Sequence, residues 1–391
     1  MLYLSPGSWY KDFHRKPLVR AIAAHQLINK VVLIEPPADF FHAPLKNWKR
    51  VVHAMKSWFS TFYEEDNIIV FTPIVFIHPL VAYKNAILRS LNLVLFKISM
   101  HRLFKRERIR EKIIFSIFRP EMLDYTKFSD NMMVIYDCYD EYLLTSQNQK
   151  VKKLEKLEKE LMIQSDFIFN TSQKLYEKSL KFNKNSYLVH NAADTELFGK
   201  AYLENLEMPS DMRNLMPPII GYVGALRDWQ DFELLEYLFI NNTKMNFVFI
   251  GHNRKSAAKK AKDFEKYENV HFLGQKKFED VPAYIKYLDV AIIPNRINLF
   301  NESVVPYKLF EYLAAGKKIL STNHSIDLKM FFDEYVNTAS DNIDFSEKLN
   351  KLINDNTIEL QKIFDFGQKQ SWKNRVDKMF TIISSADQNQ K

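Results

Sequence analysis

Short apolar runs alternate along the chain with longer segments in which apolar positions recur every three or four residues. In the first half the runs are 2–4, 30–35, 68–71, 112–118, 132–136, 167–170 and 187–189, and helical spacing marks 15–29, 151–164 and 173–182. Pro36-Pro37 and Arg119-Pro120 punctuate them. Strands that are apolar throughout, separated by helices, predict a parallel sheet covered on both faces. The pattern lapses over 203–218, where the composition turns polar and Pro209, Pro217 and Pro218 interrupt any period. A second series follows, with strands at 219–223, 246–250, 270–273, 290–294 and 318–321 and helices at 232–239, 256–267, 281–287 and 307–315. Helical segments 345–354 and 358–384 close it, before a polar tail. The expected class is α/β, with two tandem Rossmann-like, doubly wound domains over 1–205 and 206–364. The cleft between them is the expected ligand site.

Composition narrows the chemistry. The 391 residues include only eight glycines, against roughly 27 at the usual frequency of about 7%. Neither G-x-x-x-x-G-K-[ST] nor G-x-G-x-x-G occurs, which disfavours a P-loop NTPase and a standard dinucleotide dehydrogenase. Six of the eight glycines lie beyond residue 215, so the two halves do not share one loop chemistry. Cys138 is the single cysteine, which excludes a disulfide framework and a cysteine-based zinc site and suits a reducing, cytoplasmic setting. The chain opens without a secretory pattern. Its longest uncharged stretch, 68–83, contains Pro73, His78 and Pro79 and falls short of the roughly 20 residues that span a bilayer.

Charge is concentrated rather than spread. Of the net +8, about +7 falls within 84–112, where nine Lys or Arg face Glu107 and Glu111. Ile87, Leu91, Val94, Leu95 and Ile98 recur there at helical spacing, flanked by Lys84, Arg89, Lys97, Arg102, Lys105 and Arg106. That is the pattern of a helix lying on an anionic membrane surface, where each cation contributes about 1 kcal/mol. A core-facing helix with a solvated basic face is the alternative. No zinc-finger spacing or RNA-recognition signature is present, so a nucleic-acid partner is not expected.

Two segments carry candidate chemistry. Ile219-Ile-Gly-Tyr-Val-Gly224-Ala-Leu-Arg227 is a strand ending in a glycine turn before a helix, where backbone N–H groups can meet a phosphate. Asn301-Glu-Ser-Val-Val-Pro-Tyr-Lys-Leu-Phe-Glu-Tyr-Leu-Ala-Ala-Gly-Lys-Lys-Ile-Leu-Ser-Thr322 starts a helix at Pro306 and sets Lys308 and Glu311 on one face. A lysine at a helix start suits a diphosphate, and a carboxylate one turn on suits two ribose hydroxyls; a surface ion pair is the alternative. Asp137 and Asp140 follow strand 132–136 and are candidate catalytic bases facing the cleft, or turn and helix caps. No H-x-x-x-H, H-E-x-x-H or D-x-D occurs, so no metal is expected, and no G-x-S-x-G elbow supports a serine nucleophile.

The 301–322 segment resembles the P-x-K-[LF]-x-E-Y-L-A-x-G signature of GT-B glycosyltransferases, especially the retaining family 4 enzymes and teichuronic acid glycosyltransferases. The resemblance extends to 220–231, 247–251, 270–274, 289–294 and the interdomain element Leu188-Val-His-Asn-Ala-Ala-Asp-Thr-Glu-Leu-Phe198. In the first half, Ser5-Pro-Gly-Ser-Trp9, 32–37, 134–141 and 165–172 look like the acceptor domain of the same relatives, and 365–385 like a closing helix that crosses back to it. The resemblance implies a sugar moved from a nucleotide diphosphate sugar, with no metal and no other cofactor. Glu311 would hold the ribose, Lys308 the diphosphate, and Gly224 with Arg227 the phosphates from the other side, with Gly7 approaching from the first domain. The family's first glutamate falls at Ser303, with Glu302 one position away, so both are candidates for the donor site. The Arg and Lys that usually follow the glycine turn are reduced to Arg227. The acceptor implied is a cell-surface glycan or a lipid-linked one, at the inner face of the plasma membrane. A GT-B sugar-nucleotide epimerase and a non-catalytic GT-B scaffold at the membrane are the rival readings.

Overall fold

The computed structural model of the chain describes residues 1–5, 9, 15–39, 48–65, 67–110, 112–129 and 131–388. The first domain contains β1 (Leu2–Leu4), α1 (Lys16–Ala24), β2 (Val31–Ile34), β3 (Ala38–Asp39), α2 (Trp48–Phe59), β4 (Phe62–Glu65), β5 (Ile68–Phe71) and β6 (Ile74–Val75). It continues with α3 (Ala86–Glu107), β7 (Ile113–Ile117), β8 (Met132–Cys138), α4 (Lys152–Gln164), β9 (Phe167–Asn170), α5 (Gln173–Leu180) and β10 (Ser186–Leu188). Eight strands form one sheet in the order β10-β9-β8-β7-β1-β2-β5-β4, parallel except for the edge strand β4. The apolar runs are buried on both sides, as parallel strands require. Phe96, Met100, Leu103, Leu157 and Leu161 of α3 and α4 cover one face. Val19 and Ile22 of α1 cover the other, together with Val376 and Phe380 from the far end of the chain.

The second domain begins with α6 (Thr195–Leu203), then β11 (Ile219–Val223), α7 (Phe232–Asn241), β12 (Asn246–Ile250), α8 (Ala258–Phe264) and β13 (Val270–Gly274). It continues with α9 (Val281–Lys286), β14 (Val290–Ile293), α10 (Tyr307–Ala314), β15 (Ile319–Thr322), α11 (Ile326–Phe331), β16 (Asn337–Ala339), α12 (Asn342–Asn354) and α13 (Leu360–Gln368). Its six strands are all parallel, in the order β13-β12-β11-β14-β15-β16. The weakly apolar β4 and β16 lack the continuous run that marks the other strands.

The domain boundary differs from the expected one for a packing reason. Phe198 and Ala201 of α6, and Met212 beyond it, are buried with Leu309, Leu313 and Ile363 of the second domain. The polar, proline-bearing stretch therefore runs over that domain's surface, and the chain crosses earlier, around Asn191 to Asp194. It crosses back at 369–371, which splits the expected 358–384 helix into α13 and α14 (Trp372–Gln388). The two crossings touch: Ala193 N donates to Gln370 O at 3.0 Å, and Trp372 N to Ala193 O at 3.3 Å.

Helix α3 turns inward a side other than the apolar stripe read from the sequence. Asn92, Phe96, Ser99, Met100 and Leu103 are buried, while Ile87, Leu91, Val94 and Ile98 are exposed, Ile87 at 72%. The apolar stripe read from the sequence thus faces outward.

Asp137, at the end of β8, is 1% exposed. Arg15 Nη1 donates to its Oδ2 at 2.6 Å and Arg375 Nη2 to its Oδ1 at 2.9 Å. Burial alone would raise its pKa, but the two guanidiniums hold it below the ordinary 3.8. Both oxygens are occupied, so Asp137 joins the ends of the chain rather than taking a proton from a substrate, which corrects its assignment as a base. Removing one partner of a buried ion pair costs about 3–5 kcal/mol. Asp137→Asn is expected to lower the midpoint of chemical denaturation by a corresponding amount. The carboxylate's contribution is complete above its unfolded pKa and is lost as pH falls below it, which denaturation across pH 3–6 would reveal against the variant.

Candidate active site

The site lies at the carboxyl ends of β11 and β12, beside the start of α10. Pro306 precedes the first turn of α10, and Tyr312 Oη accepts a hydrogen bond from Val223 N at 2.8 Å, fixing the helix to the end of β11. Lys308 is thereby laid across the glycine turn, its Nζ 4.8 Å above the Tyr222 ring. Gly224 has φ +130, and a Cβ there would stand 3.3 Å from Lys308 Cε. Gly251, at φ +148, closes the next turn against it, since a Cβ would fall 2.2 Å from Gly224 O. Both positions need glycine for conformation, and Gly251 needs it for space as well.

Glu311, one turn after Lys308, is pushed up to about 7 by burial, with Lys308 opposing the shift. A carboxyl so poised gains from hydrogen-bond donors that favour its ionised form. Arg227 rests 4.5 Å above the Trp229 ring. Its backbone N donates to Gln230 Oε1 at 2.7 Å, and Gln230 Nε2 reaches Asn295 Oδ1 at 3.3 Å. Asn295 continues to His324, whose pKa burial pushes down to about 4. This buried polar row ties the loops after β11, β14 and β15 together beneath the site.

The two candidates for the family's first glutamate do not supply a carboxylate here. Glu302 points away to an ion pair with Lys174 of the first domain at 3.2 Å. Ser303 is 2% exposed. Among the described residues, neither has an ion pair or a side-chain hydrogen bond to Lys308 or Glu311. Gly7 lies outside the described residues.

From the first domain, Asp140 comes two residues beyond β8, on the loop that leads from Asp137 into the cleft. Burial pushes its pKa up to about 6; Arg119 of its own domain and Arg227 of the other pull it down. Its Oδ1 accepts from Glu141 N at 2.9 Å. Glu141 is anchored in turn by Lys178 at 3.1 Å, which also holds the buried Glu158. The loop carrying Asp140 is therefore fastened to α4 and α5.

The domains are clipped together around this site. Ser146 Oγ and Gln147 Nε2 donate to Asp228 Oδ2 at 2.5 and 2.9 Å, and Phe300 N to Asn148 Oδ1 at 3.0 Å. On the other side, the buried Asp327 accepts from Gln173 N at 3.0 Å and pairs with His190 Nε2 at 2.9 Å. Sequence reading offered no signal for these contacts, because each joins residues far apart in the chain.

The basic residues near α3 divide into two groups. Arg89 pairs with Asp124 at 2.8 Å, and Arg106 donates to Thr61 Oγ1 and to the carbonyls of Ser57 and Trp58. Both serve internal structure, which corrects their assignment to a membrane or acceptor surface. Lys97, Arg102 and Lys105 are exposed, with Arg102 5.4 Å from the Trp58 ring. Among the described residues, no group of three His, Cys, Asp or Glu could hold a metal ion, and no helix is long and apolar enough to cross a membrane.

Comparison with known proteins agrees with this architecture. Residues 206–370 match the model of the family "Glycosyl transferases group 1". Over 247 residues the chain is 27% identical to TuaH of Bacillus subtilis (strain 168), assigned as a teichuronic acid biosynthesis glycosyltransferase. That match covers 59% of this chain and 60% of TuaH. Among solved structures, Anabaena HepE in complex with UDP and glucose superposes with a TM-score of 0.68 at 11% identity, covering 98% of this chain and 99% of HepE. Sucrose-phosphate synthase from Thermosynechococcus elongatus gives 0.71 at 14% identity, covering 99% of each chain. At such identities these likenesses establish the fold. Residues 206–370 therefore match the group 1 glycosyl transferases, and the chain that contains them has a GT-B fold.

Proposed function

We propose that the chain is a glycosyltransferase, moving a sugar from a nucleotide diphosphate sugar to a cell-surface glycan or lipid-linked acceptor without a metal ion. The observation that carries this reading is the pairing of charge across the cleft: Asp140 of one domain and Arg227 of the other each shift the other's ionisation. A carboxylate on the acceptor side thus faces cations on the donor side. Glu311 accepts hydrogen bonds from the ribose hydroxyls, and Lys308 and Arg227 meet the diphosphate. Asp140 takes the proton of the acceptor hydroxyl as that oxygen bonds to the anomeric carbon. The carbon–oxygen bond to the diphosphate breaks, and the cations stabilise the charge left on it. With a pKa near 6, Asp140 is ionised and competent above that pH and protonated below it.

The acceptor reading places the first domain against an anionic membrane at the inner face of the plasma membrane. It is supported by the exposed stripe Ile87, Leu91, Val94 and Ile98, beside Lys97, Arg102 and Lys105. Phe59, at the end of α2, adds a further exposed ring 5.8 Å from Arg102.

Four outcomes test this reading. Nucleoside diphosphates of the matching base should raise the melting temperature, because ligand at about 100 Kd adds roughly 2.7 kcal/mol. Glu311→Gln should weaken that binding by about tenfold or more, given about 1.5–3 kcal/mol for a hydrogen bond to a charged group; unchanged affinity would remove Glu311 from the ribose site. Asp140→Asn should keep nucleotide binding and melting temperature while losing transfer by at least about 100-fold, and wild-type turnover should fall as pH drops below 6. Anionic liposomes should float the protein, and the triple change Ile87→Ser, Leu91→Ser, Val94→Ser should abolish flotation. No flotation of the unaltered protein at low salt would sink the membrane reading.

A further inference from the structure

The loops that follow β11 and β12 are fastened to each other residue by residue. Gly224 N donates to Ile250 O at 2.8 Å, Leu226 and Asn253 form a parallel bridge, and Arg254 N donates to Leu226 O at 3.0 Å. This fastening sets the side chains of Arg227 and Arg254, remote in sequence, beside one another at the glycine turn that Lys308 approaches from α10. Their mutual repulsion registers in the ionisation of the cluster. Arg227 lies below its ordinary pKa through burial and then through Arg254, and His252, between the same loops, is lowered by burial, Arg254 and Arg227 in that order. Among the described residues, none of Arg227, Arg254 and Lys308 has a carboxylate within ion-pair distance. Asp228, the carboxylate next to Arg227, is turned away to Ser146 and Gln147. Like charges gathered at one turn with no carboxylate in ion-pair contact mark a place where an anion is missing.

We propose that Arg254 is a binding residue for the diphosphate of the donor, closing with Arg227 and Lys308 a three-cation clamp around the glycine turn. This rests on the donor-site reading above and adds a residue that the β11 loop itself does not contain. Where the sequence offers only Arg227 after Gly224, the neighbouring strand supplies the second cation, and the bridge between Leu226 and Asn253 holds the two at fixed spacing. The clamp selects ligands by number of phosphates. Two adjacent phosphates can engage all three cations at once, whereas a monophosphate leaves part of the repulsion unrelieved. Arg254 is among the largest influences on both Arg227 and His252, whereas the neighbouring Lys255 and Lys259 are not.

Calorimetric titration of the full chain with UDP, GDP and ADP, then with the monophosphate and nucleoside of whichever base binds, tests the clamp. Arg254→Gln is expected to weaken the diphosphate by about tenfold, to weaken the monophosphate less, and to leave the nucleoside unchanged. Arg254→Lys should recover part of the loss, and Lys259→Gln should have no effect. Diphosphate affinity unchanged in Arg254→Gln, an equal loss for the nucleoside, or an equal loss in Lys259→Gln would each overturn the proposal while leaving the donor-site reading intact. A wild-type protein that binds none of the three diphosphates would overturn both.

Discussion

One buried carboxylate joins the beginning, middle and end of this chain. Asp137 ends β8 in the middle of the first sheet, Arg15 leads into α1, and Arg375 lies on α14 after the chain has built the whole second domain. Removing such charges from water is costly unless each is met at short range. Both carboxylate oxygens are met, and this fixes where α14 returns. The returning helix then buries Val376, Phe380 and Ile383 beside Val19 and Ile22, so the first domain is complete only once the last helix is in place.

That constraint also explains how two neighbouring aspartates come to differ. Asp137 and Asp140 are three residues apart, yet one is held ionised between guanidiniums and the other is raised by burial. The difference comes from β8, which ends between them: Asp137 still points into the packing between sheet and α14, while Asp140 sits on the loop that leaves it. The Glu141–Lys178–Glu158 contacts then hold that loop in place from below. On the opposite wall, the row from Gln230 through Asn295 to His324 performs the same service for the loops of the second domain. Each wall of the cleft is stiffened by buried polar groups paired with one another, an arrangement that raises rigidity.

The architecture was legible in the sequence because parallel strands buried on both faces announce themselves as continuous apolar runs. β4 and β16, which are polar or short, did not. The start of α10, with Pro306, Lys308 and Glu311, was legible because helix periodicity and the glycine after it are local signals. Features that depend on which strands are neighbours were not legible. Arg254 gains its meaning only from the pairing of β11 with β12, and the ion pair of Glu302 depends on Lys174 arriving from the other domain. For α3, periodicity correctly identified an apolar stripe but could not say which side faces the sheet, because Phe96, Met100 and Leu103 form a second, equally regular stripe. The boundary was misplaced because prolines mark an irregular path and not necessarily a gap between cores, as the burial of Met212 demonstrates.

The paired chain crossings have a mechanical meaning. Around Ala193 and Ser371 the two covalent links between domains run side by side in the same direction and share hydrogen bonds, forming a narrow ribbon. Two separate tethers would leave the domains free to twist as well as to open. A ribbon resists twisting about its length and sliding of one strand past the other, and yields most easily by bending across its thin dimension. Any swing of the domains about this ribbon must also break the contacts of Asp228, Asn148 and Asp327 that clip them together across the cleft.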